Sequence, residues 1–324
     1  MLFWIGLHVS YVLMKVVMDE FELIRCFFER PFSPGIVSIG IGDDAAVLNP
    51  RPGRQSVVCT DTLVEGRHFL IGTSAHAIGW KCLAVNLSDL AAMGAEPIWA
   101  TLALTLPEAD PIWLKDFSTG FFELADATGV VLVGGDTTRG SCLTITVTVG
   151  GDVPMGQAIR RGGAHVGDTI WVSGFPGEAA ASLRQRVSGQ PEPERWCRHL
   201  DYPQPRLDLA RQLRGQVHAM IDISDGLLQD MGHILKASQV GAVVEEARLP
   251  RHTQDGLKPL WEDVLCGGDD YELLWTAAED CFWAGDVNLP LTRIGRVVAE
   301  PGLRVLGVDG QLQSVGMTTG YRHF

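Results

Sequence analysis

The sequence Ile39-Gly40-Ile41-Gly42-Asp43-Asp44-Ala45-Ala46-Val47-Leu48 places two adjacent aspartates between two apolar runs. The same order, an apolar run followed by aspartate, occurs in four later segments, which are residues 57–61, 130–136, 219–226 and 264–270. Short aliphatic runs bounded by glycine predict buried strands, so we expect these carboxylates just past strand ends. Open α/β sheets bind ligands at that edge, and the pattern therefore predicts an acidic binding site.

A group of converging carboxylates needs a cation, because each pair about 4 Å apart repels by roughly 4 kcal/mol at an effective dielectric near 20. Hard oxygen donors select Mg²⁺ or Ca²⁺, and Mg²⁺ usually completes its coordination with water and substrate phosphates. The neighbouring glycines let backbone N–H groups approach a phosphate closely. The pattern therefore predicts a polyphosphate site held by magnesium. The alternative is that Asp-Gly and Gly-Asp pairs form ordinary turns.

Composition narrows the class of protein. The chain has 324 residues, enough for two domains, and its 46% hydrophobic and 20% charged residues are typical of a globular protein. The formal charge of −13 argues against nucleic acid as a partner, because phosphate backbones need a basic surface. The 7 cysteines lack zinc-ligand spacing and predict reduced, mostly buried thiols in a cytoplasmic protein.

Residues 1–17 are unusually apolar. They lack the basic start and small-residue cleavage site of a secretory signal, and they are short for a membrane span and contain His8 and Lys15. Met18 begins a more conventional sequence, so we interpret residues 1–17 as an extension of doubtful reality and expect no membrane association.

Hydrophobic periodicity predicts an α/β fold of the α+β type with two domains, residues 18–151 and 152–324. Helices are predicted at 18–30, 75–93, 111–128, 206–214 and 227–238, and strands at 37–48, 56–61, 98–106, 130–134, 142–150, 168–173, 242–247, 270–277 and 292–298, followed by a hairpin turning at Asp309-Gly310. Residues 189–205 predict a surface connection, and Ser224 is the predicted N-cap of the helix at 227–238.

Several known motifs do not account for the pattern. Gly40-x-Gly42-x-x-Ala45 is similar to a dinucleotide fingerprint, but no helix is predicted after it. The sequence contains no P-loop and no protein-kinase signature. The segment from Asp222 is similar to a calcium loop, yet its twelfth position is His233, where a bidentate Glu is needed.

Six longer motifs extend the acidic pattern, and they are Gly42-Asp43-Asp44-Ala45-Ala46, Thr60-Asp61-Thr62-Leu63-Val64-Glu65-Gly66-Arg67-His68-Phe69, Asn86-Leu87-Ser88-Asp89-Leu90-Ala91-Ala92-Met93-Gly94-Ala95, Gly134-Gly135-Asp136-Thr137-Thr138-Arg139-Gly140, Asp222-Ile223-Ser224-Asp225-Gly226-Leu227 and Gly267-Gly268-Asp269-Asp270-Tyr271-Glu272-Leu273. Through these motifs the chain, from Met18 to Phe324, resembles the thiamine-monophosphate kinases, which are related to aminoimidazole ribonucleotide synthetase and selenophosphate synthetase.

The resemblance implies direct transfer of the ATP γ-phosphoryl group to thiamine monophosphate, which gives thiamine diphosphate and ADP. It implies several Mg²⁺ ions and a homodimer in which the mixed N-terminal sheets pair, with a helix-covered sheet in the C-terminal domain. The implied metal ligands are Asp44, Cys59 through its backbone carbonyl, Thr60, Asp61, Asp89, Asp136, Asp222 and Asp225. The implied ATP contacts are Gly135, Asp136, Arg161 and Ser224, and the implied substrate contacts are His68, Asp269 and Tyr321.

Two features of the resemblance bear on the chemistry. The family usually has Glu where this chain has Asp269, so that contact has a shorter reach. The acceptor is a phosphate already ionised near neutral pH, so no side chain is expected to act as a catalytic base.

The alternatives left open are a sister ATP-dependent ligase or cyclase, a Mg²⁺-dependent phosphohydrolase, and a nucleotide-binding regulatory module. A selenophosphate synthetase would carry a reactive cysteine in an early glycine-rich loop, whereas Cys26 lies in a predicted helix.

Overall fold

The computed structural model of the chain describes residues 18–33, 35–253, 256–281 and 289–315. Residues 1–17 and Tyr321 lie outside this range, so the predictions made for them stay predictions. Within the described part, no helix combines the length and the apolar character that a membrane crossing requires.

The N-terminal half alternates strands with long helices. Its elements are α1 (Glu20–Phe27), β1 (Val37–Ile39), β2 (Val47–Leu48), β3 (Arg54–Val64), α2 (Ala75–Ala92), β4 (Glu96–Leu106), α3 (Pro111–Thr128), β5 (Val131–Arg139) and β6 (Thr144–Pro154). Ser74 is the N-cap of α2, and its side chain accepts the Ala77 N–H, while Gly129, with φ 73°, is the C-cap of α3. These caps place both helices where the sequence predicts them.

The N-terminal sheet has the strand order β3-β6-β4-β5. Strand β6 is antiparallel to β3 and β4, whereas β4 and β5 are parallel, so the predicted mixed sheet is confirmed. Helices α2 and α3 cover one face and bury a continuous apolar core. That core includes Leu83, Leu87, Leu90, Phe117 and Phe121 from the helices and Leu63, Leu102, Leu104, Ile145 and Val147 from the sheet.

The opposite face of this sheet is lined with threonine. Hydroxyl groups of Thr60 and Thr148 lie 2.8 Å apart, and those of Thr62 and Thr146 lie 2.9 Å apart. A third pair, Thr105 and Thr138, is joined at 3.0 Å. We call this surface, Thr60, Thr62, Thr101, Thr105, Thr138, Thr146 and Thr148, the threonine face.

The C-terminal half forms a larger sheet. Its elements are β7 (Thr169–Ser173), α4 (Glu178–Val187), α5 (Glu194–Asp201), α6 (Leu207–Leu213), β8 (Ala219–Asp222), α7 (Leu227–Ser238), β9 (Gly241–Glu245), a 3₁₀ helix (Glu246–Arg248), α8 (Trp261–Cys266), β10 (Leu273–Ala277), β11 (Leu291–Val298), β12 (Gly302–Leu306) and β13 (Leu312–Val315). The strand order is β13-β12-β9-β11-β7-β10-β8, and among the described strands of this sheet only β9 and β12 pair in parallel. The hairpin predicted at Asp309-Gly310 joins β12 and β13.

Both faces of this second sheet are buried. Helices α7 and α8 pack on one face, where Met231 and Val264 share a core with Ile170. On the other face Trp171 and Trp275 stack with ring centroids 6.4 Å apart. That second core also includes Leu213 of α6 and Ala91 and Ala92 from the end of α2, so the N-terminal helix packs directly against the C-terminal sheet.

Several predictions about local structure are wrong. Asp61 and Asp136 lie inside strands β3 and β5 rather than past their ends. The apolar run before Asp269 belongs to helix α8, because a run of three residues does not distinguish a strand from a helix. The predicted surface connection contains α5, whose Trp196 is fully buried despite its polar neighbours.

Ser224 is not a helix cap. Gly226 is the N-cap of α7, and the backbone N–H groups of Ser224, Asp225 and Gly226 each donate to Asp230 Oδ2 at 3.1 Å. A carboxylate from the first turns of the helix therefore fixes the loop before it, and no side chain caps the helix. The prediction of mostly buried thiols is also wrong, since Cys82 is the buried one of the seven free cysteines.

Candidate active site

Three aspartates from both halves of the chain meet where α2 packs against the C-terminal sheet. Asp61 lies on the face of β3 that α2 covers, and its N–H donates to Asn86 Oδ1 at 2.9 Å. Asp89 lies one turn beyond Asn86 on α2, and Asp222 is the last residue of β8. We call Asp61, Asp89 and Asp222 the carboxylate cluster.

The electrostatics of the carboxylate cluster show how close its members are. Burial and then the charges of Asp222 and Asp61 raise the pKa of Asp89 to about 7. Burial likewise raises the pKa of Asp222 to about 6, opposed by a hydrogen bond from Ser88 Oγ at 2.7 Å. The pKa of Asp61 is raised by burial and then by Asp225, against a lowering effect of His68. Burial and mutual repulsion therefore disfavour the charged forms of these three carboxylates.

Nearby groups fit the same interpretation. The positive charge of Arg161 lowers the pKa of both Asp89 and Asp222, which places this exposed side chain near the cluster. The Cys59 thiol donates to Asn86 O at 3.3 Å, and burial together with the neighbouring carboxylates raises its pKa. A thiolate ligand is therefore disfavoured at this position, and the backbone carbonyl is the oxygen donor that Cys59 offers.

The donor set suits a hard divalent cation. Carboxylate and carbonyl oxygens are the ligands that Mg²⁺ and Ca²⁺ prefer, and soft thiolate ligands are disfavoured here. Two domains supply the carboxylates, with Asp61 and Asp89 from the first and Asp222 and Asp225 from the second. A cation bound among them would relieve the repulsion that raises their pKa values.

A second acidic region lies at the outer strand β5. A cavity of about 840 Å³ is lined by the loop with Asp43 and Asp44, by α1, and by Gly135 and Asp136 of β5. Gly135 has φ 155°, and a Cβ there would lie 1.8 Å from Leu102 O, so the position requires glycine. We call this space the edge cavity.

The sheet register separates the two acidic regions. Asp61 pairs with Val147, and Val147 pairs with Leu102, so Asp61 shares the helix-covered face of the sheet. Asp136 pairs with Ala103, which pairs with Thr146, so Asp136 shares the threonine face. Within this chain the predicted residues therefore form two groups, Cys59, Asp61, Asp89, Arg161, Asp222, Ser224 and Asp225 in the first and Asp44, Gly135 and Asp136 in the second, with Thr60 on the threonine face.

The predicted substrate contacts His68 and Asp269 line one cavity of about 100 Å³. His68 Nδ1 accepts the Val64 N–H at 2.9 Å. Asp269 accepts from the ammonium group of buried Lys81 at 2.7 Å and from Tyr271 Oη at 2.8 Å. Its φ of 69° lies in the left-handed region, which aspartate tolerates better than most residues.

A buried polar network supports the loop that carries Asp269. The neighbouring Asp270 accepts the Gly177 N–H at 2.7 Å, and burial raises its pKa to about 8. Glu272, fully buried, accepts from Arg206 Nε at 2.8 Å. The segment that follows Asp269 is thus fixed by the residues that precede α4 and α6, Gly177 and Arg206.

Sequence reasoning missed three residues that shape the site. Ser88 holds Asp222, Lys81 holds Asp269, and Asp230 fixes the loop after β8. Burial raises the pKa of Asp230 to about 7, and Asp222 adds to the effect. A polar or charged residue within an otherwise apolar helix was the available signal for Ser88 and Lys81, since such residues are rarely buried without a partner.

Comparisons with known proteins agree with this architecture. Residues 42–153 match the family described as AIR synthase related protein, N-terminal domain, and residues 165–308 match its C-terminal domain. The thiamine-monophosphate kinase of Escherichia coli (strain K12) is 43% identical over 323 residues, which cover 94% of this chain and 98% of that protein. The thiamine-monophosphate kinase of Bacillus subtilis (strain 168) is 35% identical over 329 residues, covering 95% of this chain and 100% of that protein.

Solved structures lead to the same family. The crystal structure of thiamine-monophosphate kinase from Stenotrophomonas maltophilia K279a aligns with a TM-score of 0.78 at 47% identity, covering 85% of this chain and 92% of that one. A structure of AaThiL complexed with AMPPCP and TMP aligns with a TM-score of 0.75 at 29% identity, covering 95% of this chain and all, 100%, of that one. The resemblance predicted from the motifs is confirmed, and the chain belongs to the thiamine-monophosphate kinase family.

Proposed function

We propose that this chain transfers the γ-phosphoryl group of ATP to thiamine monophosphate and releases thiamine diphosphate and ADP. The observation that carries the proposal is the 43% identity with a thiamine-monophosphate kinase over 94% of the chain. The structure of a relative with an ATP analogue and TMP, at 29% identity, supports the same pair of substrates.

The chemistry requires two anions to meet. The acceptor oxygen belongs to a phosphate that is largely ionised near neutral pH, so no side chain has to remove a proton from it. Mg²⁺, when bound, would neutralise charge on the transferred group and on the leaving ADP. We assign Asp61, Asp89, Asp222 and Asp225 as the residues that hold it. The charge of Arg161 acts on this cluster, and we assign this side chain to a phosphate contact.

The thiamine portion would bind on the side of His68 and Asp269. Thiamine carries a positively charged ring, and the Asp269 carboxylate lies on the wall of that cavity with His68. The other carboxylate on that wall, Asp201, is paired with Arg186 at 2.8 Å. Lys81 and Tyr271 hold this carboxylate by hydrogen bonds of 2.7 Å and 2.8 Å. Its position is therefore set before substrate arrives, which reduces the entropy lost on binding.

We assign Asp44, Gly135 and Asp136 to nucleotide and metal contacts in the edge cavity. We also propose that the chain forms a homodimer in which the threonine face is buried. What supports the dimer is a sheet surface opposite the face that α2 and α3 cover, including Val58, which is 57% exposed. Thr60 and Asp136 both belong to that face, so a partner sheet placed against it would lie beside predicted ligands.

The direct test is product analysis. Purified protein is incubated with ATP, MgCl₂ and thiamine monophosphate, and the products are separated by liquid chromatography with mass detection. We expect thiamine diphosphate and ADP in equal amounts, with little ADP when thiamine replaces thiamine monophosphate. Phosphate release without thiamine diphosphate would instead identify a phosphohydrolase, and no turnover of ATP would favour a binding module.

A further inference from the structure

A separate group of metal-binding side chains lies at the other end of β8. His165, Asp168 and His218 each offer a donor atom, and these atoms lie within 4.8 Å of one another. Asp168 directly precedes β7, and His218 directly precedes β8. Asp222 of the carboxylate cluster is at the far end of β8, about 13 Å away at the usual rise of a strand. The group is therefore distinct from the kinase site.

Its polar contacts converge on a single ring nitrogen, His218 Nδ1. His218 Nδ1 lies 2.9 Å from both carboxylate oxygens of Asp168 and 3.2 Å from His165 Nδ1. A neutral imidazole has a single ring proton. If His218 gives that proton to Asp168, it keeps no lone pair for His165, and the lone pair of His165 Nδ1 competes with the carboxylate. A divalent cation at this point would satisfy all three donors at once.

The spacing fits a small transition-metal ion. In a tetrahedral zinc site with bonds of about 2.05 Å, neighbouring donor atoms lie about 3.3 Å apart. His218 Nδ1 lies 3.2 Å from His165 Nδ1 and 2.9 Å from Asp168 Oδ1. Both distances are slightly shorter than about 3.3 Å, so a small outward movement of the side chains would accommodate the ion. Imidazole nitrogen favours zinc and its first-row neighbours over Mg²⁺, which selects oxygen donors.

The three donors are also held in place by backbone contacts. Asp168 Oδ2 accepts the His165 N–H at 2.8 Å, and Asp168 O accepts the Val297 N–H at 2.8 Å. The His218 N–H donates to Thr276 O at 2.9 Å. Asp168 is buried, while His165 is exposed and leaves a path for an ion and a completing water.

We propose that His165, Asp168 and His218 bind one zinc-class divalent cation, through both Nδ1 atoms and one carboxylate oxygen. The ion would fasten the loop 160–168 to the starts of β7 and β8. That loop already contacts β8 through the Met220 N–H, which donates to Arg160 O at 3.0 Å. It also carries Arg161, so the ion stabilises a segment adjacent to the kinase site without entering it.

The test measures how many zinc ions each chain binds. The protein is first stripped of metal with a chelator and then dialysed into excess MgCl₂, so that Mg²⁺ occupies the sites made of hard oxygen ligands. Calorimetry with ZnCl₂ should show one bound ion per chain and a rise in melting temperature. His165→Ala should lower the affinity by more than about 10-fold, because even partners outside the coordination sphere contribute roughly 10- to 100-fold. His165→Asn, which keeps a polar side chain, should do the same.

His233→Ala is the matched control, because His233 belongs to another three-residue group with Asp225 and Asp230. It should bind zinc at this site as the unmodified chain does. Equal zinc affinity in His165→Ala and the unmodified chain would overturn the proposal. So would the absence of zinc binding by the unmodified chain, or a loss of the site in His233→Ala alone.

Discussion

Ser88 Oγ donates a hydrogen bond of 2.7 Å to Asp222 Oδ2, and this contact joins helix α2 of the N-terminal half to strand β8 of the C-terminal half. Both side chains are buried, with 0% and 4% exposure. The bond fixes one member of the carboxylate cluster relative to Asp61 and Asp89, which the other domain supplies. The geometry of the cluster therefore depends on how the two domains pack.

Removing this contact should weaken metal use more than it weakens the fold. The bond lowers the pKa of Asp222, so in Ser88→Ala that pKa rises and a proton competes better with Mg²⁺. We expect the Mg²⁺ concentration for half-maximal rate at pH 7 to increase several-fold, with a stability loss of about 1–3 kcal/mol. Ser118→Ala is the control, because Ser118 is also a buried helical serine but donates to Lys115 O on its own helix α3. An unchanged Mg²⁺ requirement in Ser88→Ala would contradict the role of this bond.

Metal-free protein should lose stability as the pH rises from 5 to 8. The folded pKa of Asp89, about 7, exceeds its ordinary value of 3.8, so the folded state binds more protons between these values. This contribution to stability is complete below about pH 4 and is lost as the pH rises through about 7. Asp89→Asn should therefore stabilise the metal-free protein at pH 8 by about 1–3 kcal/mol and much less at pH 5.

Urea unfolding in a chelator at both pH values measures this difference. Asp116→Asn, at an exposed position on α3, provides the control and should follow the unmodified chain. If Asp89→Asn kept the full pH dependence, Asp89 would not be a source of it. Activity should fall at least about 100-fold in Asp89→Asn even where stability rises, because a carboxylate expected to bind Mg²⁺ is lost.

Asp269 should contribute to substrate affinity and also compensate a buried charge. Asp269→Asn leaves Lys81, 4% exposed, without its anionic partner, so we expect a stability loss of about 1–3 kcal/mol. The KM for thiamine monophosphate should rise about 10-fold or more while the KM for ATP stays within a factor of about 2. The double variant Lys81→Met with Asp269→Asn should recover stability but not substrate affinity. Equal effects on both KM values would place Asp269 outside the thiamine side of the site.

The threonine face should mediate self-association. Thr146 lies near its centre, where its hydroxyl pairs with Thr62, so Thr146→Arg would introduce a charge into a buried interface. Light scattering after gel filtration should show a dimer for the unmodified chain and a monomer for Thr146→Arg. Ile112→Arg, at a position 75% exposed on α3 and outside this face, should stay dimeric. A monomeric unmodified chain would contradict the assignment.

Much of the fold could be predicted because the signals are local. Helices α2 and α3 have apolar stripes and defined caps, so their predicted positions agree with the structure within a residue. Helix α5 was missed because its buried Trp196 and Leu200 stand among charged residues. Because most residues of this segment are charged or polar, the helical spacing of Trp196 and Leu200 was not recognised in the sequence.

The site could be predicted in part for the same reason. Acidic segments and the family resemblance identified Asp61, Asp89 and Asp222, which the structure brings together. The face of the sheet on which Asp136 lies depends on strand pairing and on a register shift between β4 and β5 at Ala100 and Thr101. The local sequence does not reveal either of them. Lys81 and Asp269 are 188 positions apart, so only tertiary structure pairs them.

The most direct test of the carboxylate cluster is the Mg²⁺ dependence of thiamine diphosphate formation in Asp61→Asn and Asp222→Asn, compared with Asp116→Asn. The unmodified chain and Asp116→Asn should both require Mg²⁺, and their rates should reach saturation at the same Mg²⁺ concentration. Both cluster variants should stay folded by circular dichroism and lose at least about 100-fold in rate, because the charge that holds the metal is reduced. Rates near those of the unmodified chain at the same Mg²⁺ concentrations would contradict the account.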